Sequence, residues 1–77
     1  MPYANIFFIK QLPFNVNASQ ILALFNKFGN IVQIRVGNSE KTRGSAFVVF
    51  DATCPQALEL NGFAFQGRYL TVVMHNK

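Results

Sequence analysis

Eight consecutive residues, Arg43-Gly44-Ser45-Ala46-Phe47-Val48-Val49-Phe50, constrain this chain more than any other stretch. After a cation and a glycine they alternate. Ala46, Val48 and Phe50 share one parity; Arg43, Ser45, Phe47 and Val49 share the other. A period of two is that of a β-strand, whose successive side chains point to opposite faces. Apolar residues on both parities place this strand inside a sheet. Upstream, Asn5 to Lys10 repeats the pattern, with Phe7 and Ile9 on one face and Phe8 and Lys10 on the other.

The elements between and after these strands follow from local signals. Gln11 to Val16 reads as a loop, broken by Pro13. Asn17 is a helix N-cap, and Gln20 completes a capping box. Ile21, Leu24, Phe25 and Phe28 then form one apolar helical face, and Gly29 ends the helix. The second strand is Ile31 to Val36. Its Ile31 and Ile34 are three apart, which implies a bulge, with Gln33 and Arg35 outward and Ile34 and Val36 inward. Gly37 to Thr42 is a polar turn-rich connection, and Ser45 to Phe50 is the third strand. Pro55 suits a first helical position after Thr53 or Cys54 as cap. The short helix stops at Asn61-Gly62. Phe63 to Gln66 predicts a small hairpin arm, and Arg68 to Met74 the last strand. Leu70, Val72 and Met74 should point inward there, and Tyr69, Thr71 and Val73 outward. The order strand, helix, strand, strand, helix, strand predicts an α+β, ferredoxin-like βαββαβ fold. Such a fold is a four-stranded antiparallel sheet with both helices on one face.

With 77 residues, one domain spanning 1–77 is expected, its core about residues 5–75. So short a chain needs an efficient core, and 51% hydrophobic residues, including nine Phe, supply one. No apolar run approaches the roughly 20 residues that span a bilayer, so no membrane partner is expected. Met1 to Asn5 has neither a basic start nor an apolar signal core, which argues against secretion. Cys54 is the lone cysteine, which excludes an internal disulfide and fits a reducing compartment. His75 is the lone histidine, and no Cys/His cluster has metal spacing. The three acids, Glu40, Asp51 and Glu59, fall on separate elements without a nearby His or Cys. No catalytic residue, metal, cofactor, small-molecule substrate or enzyme activity is therefore expected. The net charge of +4 suits a polyanionic partner. A positive mean hydropathy points to apolar surface and a protein interface.

The helices must cover the face of Phe7, Ile9, Ala46, Val48 and Phe50. Phe8 and Phe47 are then left exposed on neighbouring central strands. Folding does not need an exposed aromatic pair. It suits stacking of unpaired bases, worth about 1–3 kcal/mol per base. Arg43 and Lys10 flank the rings and can meet phosphates, with a salt-dependent affinity. The expected RNA-binding set is Phe8, Lys10, Gln33, Arg35, Arg43, Ser45, Phe47 and Tyr69. Lys41, Arg68 and Lys77 read as solvating charges, and Leu22 as an exposed contact off the helical stripe. Phe14, Phe63 and Phe65 read as satellite packing, Cys54 as an inert thiol near a helix cap, and His75 as a surface residue past the last strand.

The octapeptide resembles the signature of the RNA recognition motif (RRM). That signature reads Lys/Arg, Gly, Phe/Tyr, Gly/Ala, Phe, Val, any, Phe/Tyr. Only Ser45 departs. Gln33-Ile34-Arg35-Val36-Gly37-Asn38 and Thr42 to Phe50 are more specific. With Gly62-Phe63, Arg68-Tyr69-Leu70 and Leu12-Pro13-Phe14, they resemble the family of small RRM subunits of splicing factor 3b. That family also carries a small hydroxyl residue at the Ser45 position. The resemblance covers roughly residues 5 to 75. It implies a nuclear, spliceosomal protein with no chemistry of its own. It implies that the ring at Phe8 lies close to the branch-site adenosine of pre-mRNA. It further implies that the large helical-repeat subunit of splicing factor 3b covers much of the sheet, where a third stacking ring at position 45 is unnecessary. Two departures stand out. The second helix is about three residues shorter than in that family. The few residues outside the first and last strands are expected to be too short to cover the sheet in cis, so that either a partner covers it or the open face is more available to RNA.

Three functions remain open on the residues: a spliceosomal subunit held by a partner, a free single-stranded RNA binder, and a protein-interaction RRM whose sheet is occluded. Ser45 favours the first or third. Arg43, Phe8 and Phe47 favour the first over the third.

Overall fold

A computed structural model describes residues 5–37 and 39–75 of the protein. The expectations for Asn38 and Lys77 lie outside the described residues. The elements are β1 (Ile6–Lys10), α1 (Ala18–Phe25), β2 (Ile31–Val36), β3 (Ala46–Phe50), a 3-10 helix (Pro55–Leu60), β4 (Ala64–Phe65), β5 (Arg68–Tyr69) and β6 (Thr71–Met74). Four of the strands form one sheet in the order β2-β3-β1-β6, antiparallel throughout. Phe7, Ile9, Ala46, Val48 and Phe50 point to the helical face and join Ile21, Phe25, Ala57 and Leu60 in one buried cluster. Alternation and the helical stripe thus meet in a single core, and the fold is the ferredoxin-like α+β arrangement.

Local chemistry explains the element ends. The Asn17 side chain accepts from the Gln20 backbone N–H at 2.9 Å, and the Gln20 side chain accepts from the Asn17 N–H at 3.0 Å. This reciprocal box satisfies two donors that a helix start leaves unpaired. The α-helix ends at Phe25, and a 3-10 turn, Asn26–Phe28, completes the stripe. Gly29 is extended, with φ 170°, and so is not a left-handed cap. A Cβ there would meet the Phe50 ring at 3.3 Å, so any side chain would press on that ring. The second helix is wholly 3-10. Its cap position is Cys54, whose buried thiol donates to the Phe28 carbonyl at 3.2 Å rather than capping the helix.

The β2 bulge falls between Ile31 and Gln33, which lets Ile31 and Ile34 both pack toward the core. The last strand is shorter than expected. Gln66 (φ 51°) and Gly67 (φ 81°) form a two-residue turn with both central residues left-handed, the geometry that closes tight hairpins. Arg68-Tyr69 therefore fold back on Ala64-Phe65 and leave only Thr71–Met74 to the main sheet. Leu70, between the two, is buried and hydrogen-bonds Phe63 and Gly62. Met74, expected inward, is 39% exposed. It has the core parity and is in register with the buried Phe7, but it is the last residue of an edge strand.

Candidate nucleic-acid interface

The face opposite the helices is built from β1 and β3, the two central strands. Their register sets Phe8 directly across from Phe47. Both rings are half-buried, 4.7 Å apart between centroids and tilted by 34°. Directly opposed aromatics stabilise a sheet modestly. The Lys10 Nζ lies 5.6 Å from the Phe8 centroid. Arg35 on β2 is in register with Phe47, and Val73 on β6 with Phe8.

Beside the ring pair is a cleft of about 460 Å³, lined among others by Phe8, Phe47, Arg35, Lys41, Thr42 and Ser45. Ser45 shapes it. Its hydroxyl donates to the Thr42 carbonyl at 2.6 Å, so the side chain folds back onto its own loop. A large ring at this position would extend into the cleft. Gly37 closes the other wall: a Cβ there would collide with the Thr42 carbonyl, so β2 and the loop approach as closely as backbone allows. Apolar rings, two cations, a hydroxyl and backbone carbonyls offer a site for a flat, partly polar group attached to an anion, as a nucleotide base is.

The expected residues do not all converge. Phe8, Arg35, Ser45 and Phe47 line the cleft, and Lys10 stands over Phe8. Gln33 is exposed on the same face, across from Val49. Arg43 instead lays its guanidinium 4.9 Å from the Phe14 centroid, on the loop end. Tyr69 is 69% exposed but belongs to the β4–β5 hairpin, because the Gln66-Gly67 turn diverts it from the sheet.

Three further residues enter the picture. Lys41 lines the cleft. The exposed His75 ring lies 5.1 Å from Phe47 at 72°, and the His75 backbone N–H donates to the Ile6 carbonyl. Parity could have found His75, since it continues the outward series Thr71, Val73. Phe14 holds two arginines, Arg43 and Arg68, a meeting of three distant segments that no local pattern signals.

A four-stranded antiparallel sheet backed by two helices, with opposed aromatics on its open face, defines the RNA recognition motif. The chain belongs to that family, whose pattern matches residues 7–71. Within it, the chain is 43% identical over 75 residues to the splicing factor 3B subunit 6-like protein of Schizosaccharomyces pombe. The match covers 94% of this chain and 65% of that protein. It is 41% identical over 76 residues to splicing factor 3B subunit 6 of Drosophila melanogaster, covering 91% of this chain and 60% of that one. The chain thus spans less than two thirds of the length of these relatives. Among solved structures it superposes on the RNA15 RRM with a TM-score of 0.84 at 19% identity, covering 100% of this chain and 94% of that one. The third RRM of Gbp2 gives 0.79 at 21%, covering 91% and 74%. At such identities the likeness concerns the fold.

Proposed function

We propose that this chain is an RNA-binding subunit of the spliceosome, acting in the nucleus as one RRM domain with a core of about residues 5–75. Its open face contacts the branch-site region of pre-mRNA while the large helical-repeat subunit of splicing factor 3b holds it. It positions RNA and catalyses nothing. The observation that carries this reading is the cleft beside the Phe8–Phe47 pair, kept open by Ser45. A single unpaired adenosine fits there, stacked on a ring, with Arg35 and Lys41 beside its phosphate. The likeness to splicing factor 3B subunit 6 proteins supplies the spliceosomal setting. Phe8, Lys10, Gln33, Arg35, Arg43, Ser45 and Phe47 carry the contact, with Tyr69 at its margin.

A second reading draws on His75. Its ring on Phe47 gives the open face a third aromatic in place of the one absent at position 45. Three rings suit a free single-stranded RNA binder that stacks two or three bases.

One substitution separates the two. Ser45→Tyr places a ring in the cleft. The cleft reading expects Ser45→Tyr to weaken binding of a bulged-adenosine RNA, measured by NMR titration with and without a large-subunit fragment. The free-binder reading expects the added ring to tighten binding to unstructured RNA. Binding unchanged by Ser45→Tyr would refute a base in the cleft.

A further inference from the structure

Phe14 is an anomaly for a small domain. It is 61% exposed, and two arginines from distant segments lie over it, Arg43 at 4.9 Å and Arg68 at 5.9 Å from the ring centroid. The backbone is shaped to hold the ring there. The Leu12 N–H donates to the Gly44 carbonyl at 2.8 Å, joining the β1–α1 loop to the start of β3. Gly44 has φ +83°, and a Cβ on it would stand 3.2 Å from the Phe14 ring and 3.1 Å from the Leu12 carbonyl. A side chain there would be both strained and crowded. Arg68 arrives from a third direction, on the hairpin made by Gln66-Gly67.

A guanidinium laid on a ring gains cation–π attraction, and the neutral ring leaves its charge uncompensated, as a carboxylate partner would not. Two such charges drawn to one ring repel each other, and an anion between them relieves that repulsion. The planar guanidinium fork matches the geometry of phosphate oxygens. The site also lies at one end of the sheet. Lys10 ends β1 over the Phe8 ring and pairs across to Thr71, the first residue of β6. Lys10, Arg43 and Arg68 therefore mark the same end of the sheet, where β1 stops and β3 and β6 begin.

Resting on the RNA-binding reading of the sheet, we infer that Phe14, Arg43 and Arg68 form a second subsite, which grips the phosphodiester of the nucleotide leaving the sheet. The ring is the platform that holds the two guanidinium groups in place. The occupant is single-stranded RNA continuous with the base on Phe8. Nothing in this subsite reads base identity, so it adds affinity and direction rather than sequence preference.

The test compares two single-stranded RNAs on the 77-residue chain. One has about three nucleotides, enough to fill a sheet, and the other is two to three times as long. Binding is followed by NMR at the Phe14 ring, the Arg43 and Arg68 side chains and the Phe8 ring, with Arg68→Gln and Phe8→Ala beside the parent. Arg68 is exposed, so its variant keeps the fold. Arg68→Gln should weaken the longer RNA about three- to ten-fold and leave the shorter one unchanged. It should also reduce the slope of log affinity against log salt by about 0.7, one phosphate contact on a single strand. Should Phe8→Ala weaken binding while Arg68→Gln alters neither affinity nor slope, the sheet reading survives and the subsite is refuted. If Arg68→Gln weakens binding and Phe8→Ala does not, RNA meets the arginine pair without crossing the sheet, which overturns both the sheet reading and the subsite as its continuation. No response in either variant overturns both. Shifts at Phe14 and Arg68 with an oligo-glutamate peptide but not with RNA would assign the cluster to an acidic protein segment and overturn the RNA subsite.

Discussion

Phe7 and Phe8 are adjacent in sequence and opposite in role, and their truncation tests the whole face assignment. Phe7 is fully buried and packs edge-on against Phe50, with centroids 5.8 Å apart at 86°. Removing a buried ring loses its transfer free energy and leaves a cavity, about 3–5 kcal/mol together. At about 0.05–0.15 kcal/mol per residue, this domain's total stability is about 4–12 kcal/mol, so Phe7→Ala removes from about a quarter to all of it. Phe7→Leu keeps most of the volume and should cost about 1–1.5 kcal/mol, which remains measurable. Phe8 is half-buried on the open face, and its main partner is Phe47. Phe8→Ala therefore loses an aromatic pair worth about 0.5–1.5 kcal/mol and no core. Its melting temperature should fall by about 4–8 °C per kcal/mol lost, while RNA affinity falls by the stacking term of about 1–3 kcal/mol. Urea titration followed by circular dichroism measures the stabilities, and the RNA titration measures the rest. The reasoning is refuted if Phe8→Ala shifts the urea midpoint as far as Phe7→Ala, since both rings would then be core.

Three further substitutions probe the scaffold. Asn17→Ala removes the capping box and should destabilise by about 1 kcal/mol, read as a lower urea midpoint with unchanged RNA binding. The Asn61 side chain accepts from the Val72 N–H at 3.0 Å, so Asn61→Ala strands a donor on β6 at a cost of about 1–3 kcal/mol. Faster hydrogen exchange at Val72 is its signature. Gly37→Ala drives a methyl into the Thr42 carbonyl, so the loop must move. It should cost about 1–3 kcal/mol and shift the NMR resonances of Thr42 and Ser45, while a neutral result would show that the loop yields freely.

Much of this architecture is written in short windows of sequence. Strand alternation separates Phe7 from Phe8 and Phe47 from Val48, because a pleated backbone sends neighbours to opposite faces. The capping box at Asn17 and Gln20 and the bulge implied by Ile31 and Ile34 are equally local, each a matter of a few dihedrals. Parity likewise places Phe8, Phe47 and Arg35 on one open face, and the octapeptide carries the family. Those features rest on the sterics and hydrogen bonding of adjacent residues, which any chain with this order of side chains obeys.

The remainder depends on segments that meet only once the sheet has closed. Arg68-Tyr69 has strand-like residues on either side, yet the left-handed Gln66-Gly67 turn pairs it with Ala64-Phe65. Tyr69 thereby leaves the sheet to which alternation alone would assign it. Met74 has the parity of a core residue, but as the last residue of an edge strand it keeps 39% of its surface exposed. The cleft exists because Ser45 turns its hydroxyl to the Thr42 carbonyl while Gly37 lets β2 approach. Arg43, Phe14 and Arg68 converge because Leu12 is bonded to Gly44 and the hairpin returns beside them. Sequence by itself determined which faces the strands present and what kind of domain they build. Only the tertiary structure decided which loop residues share a site, because such contacts join residues far apart along the chain and no local period encodes them.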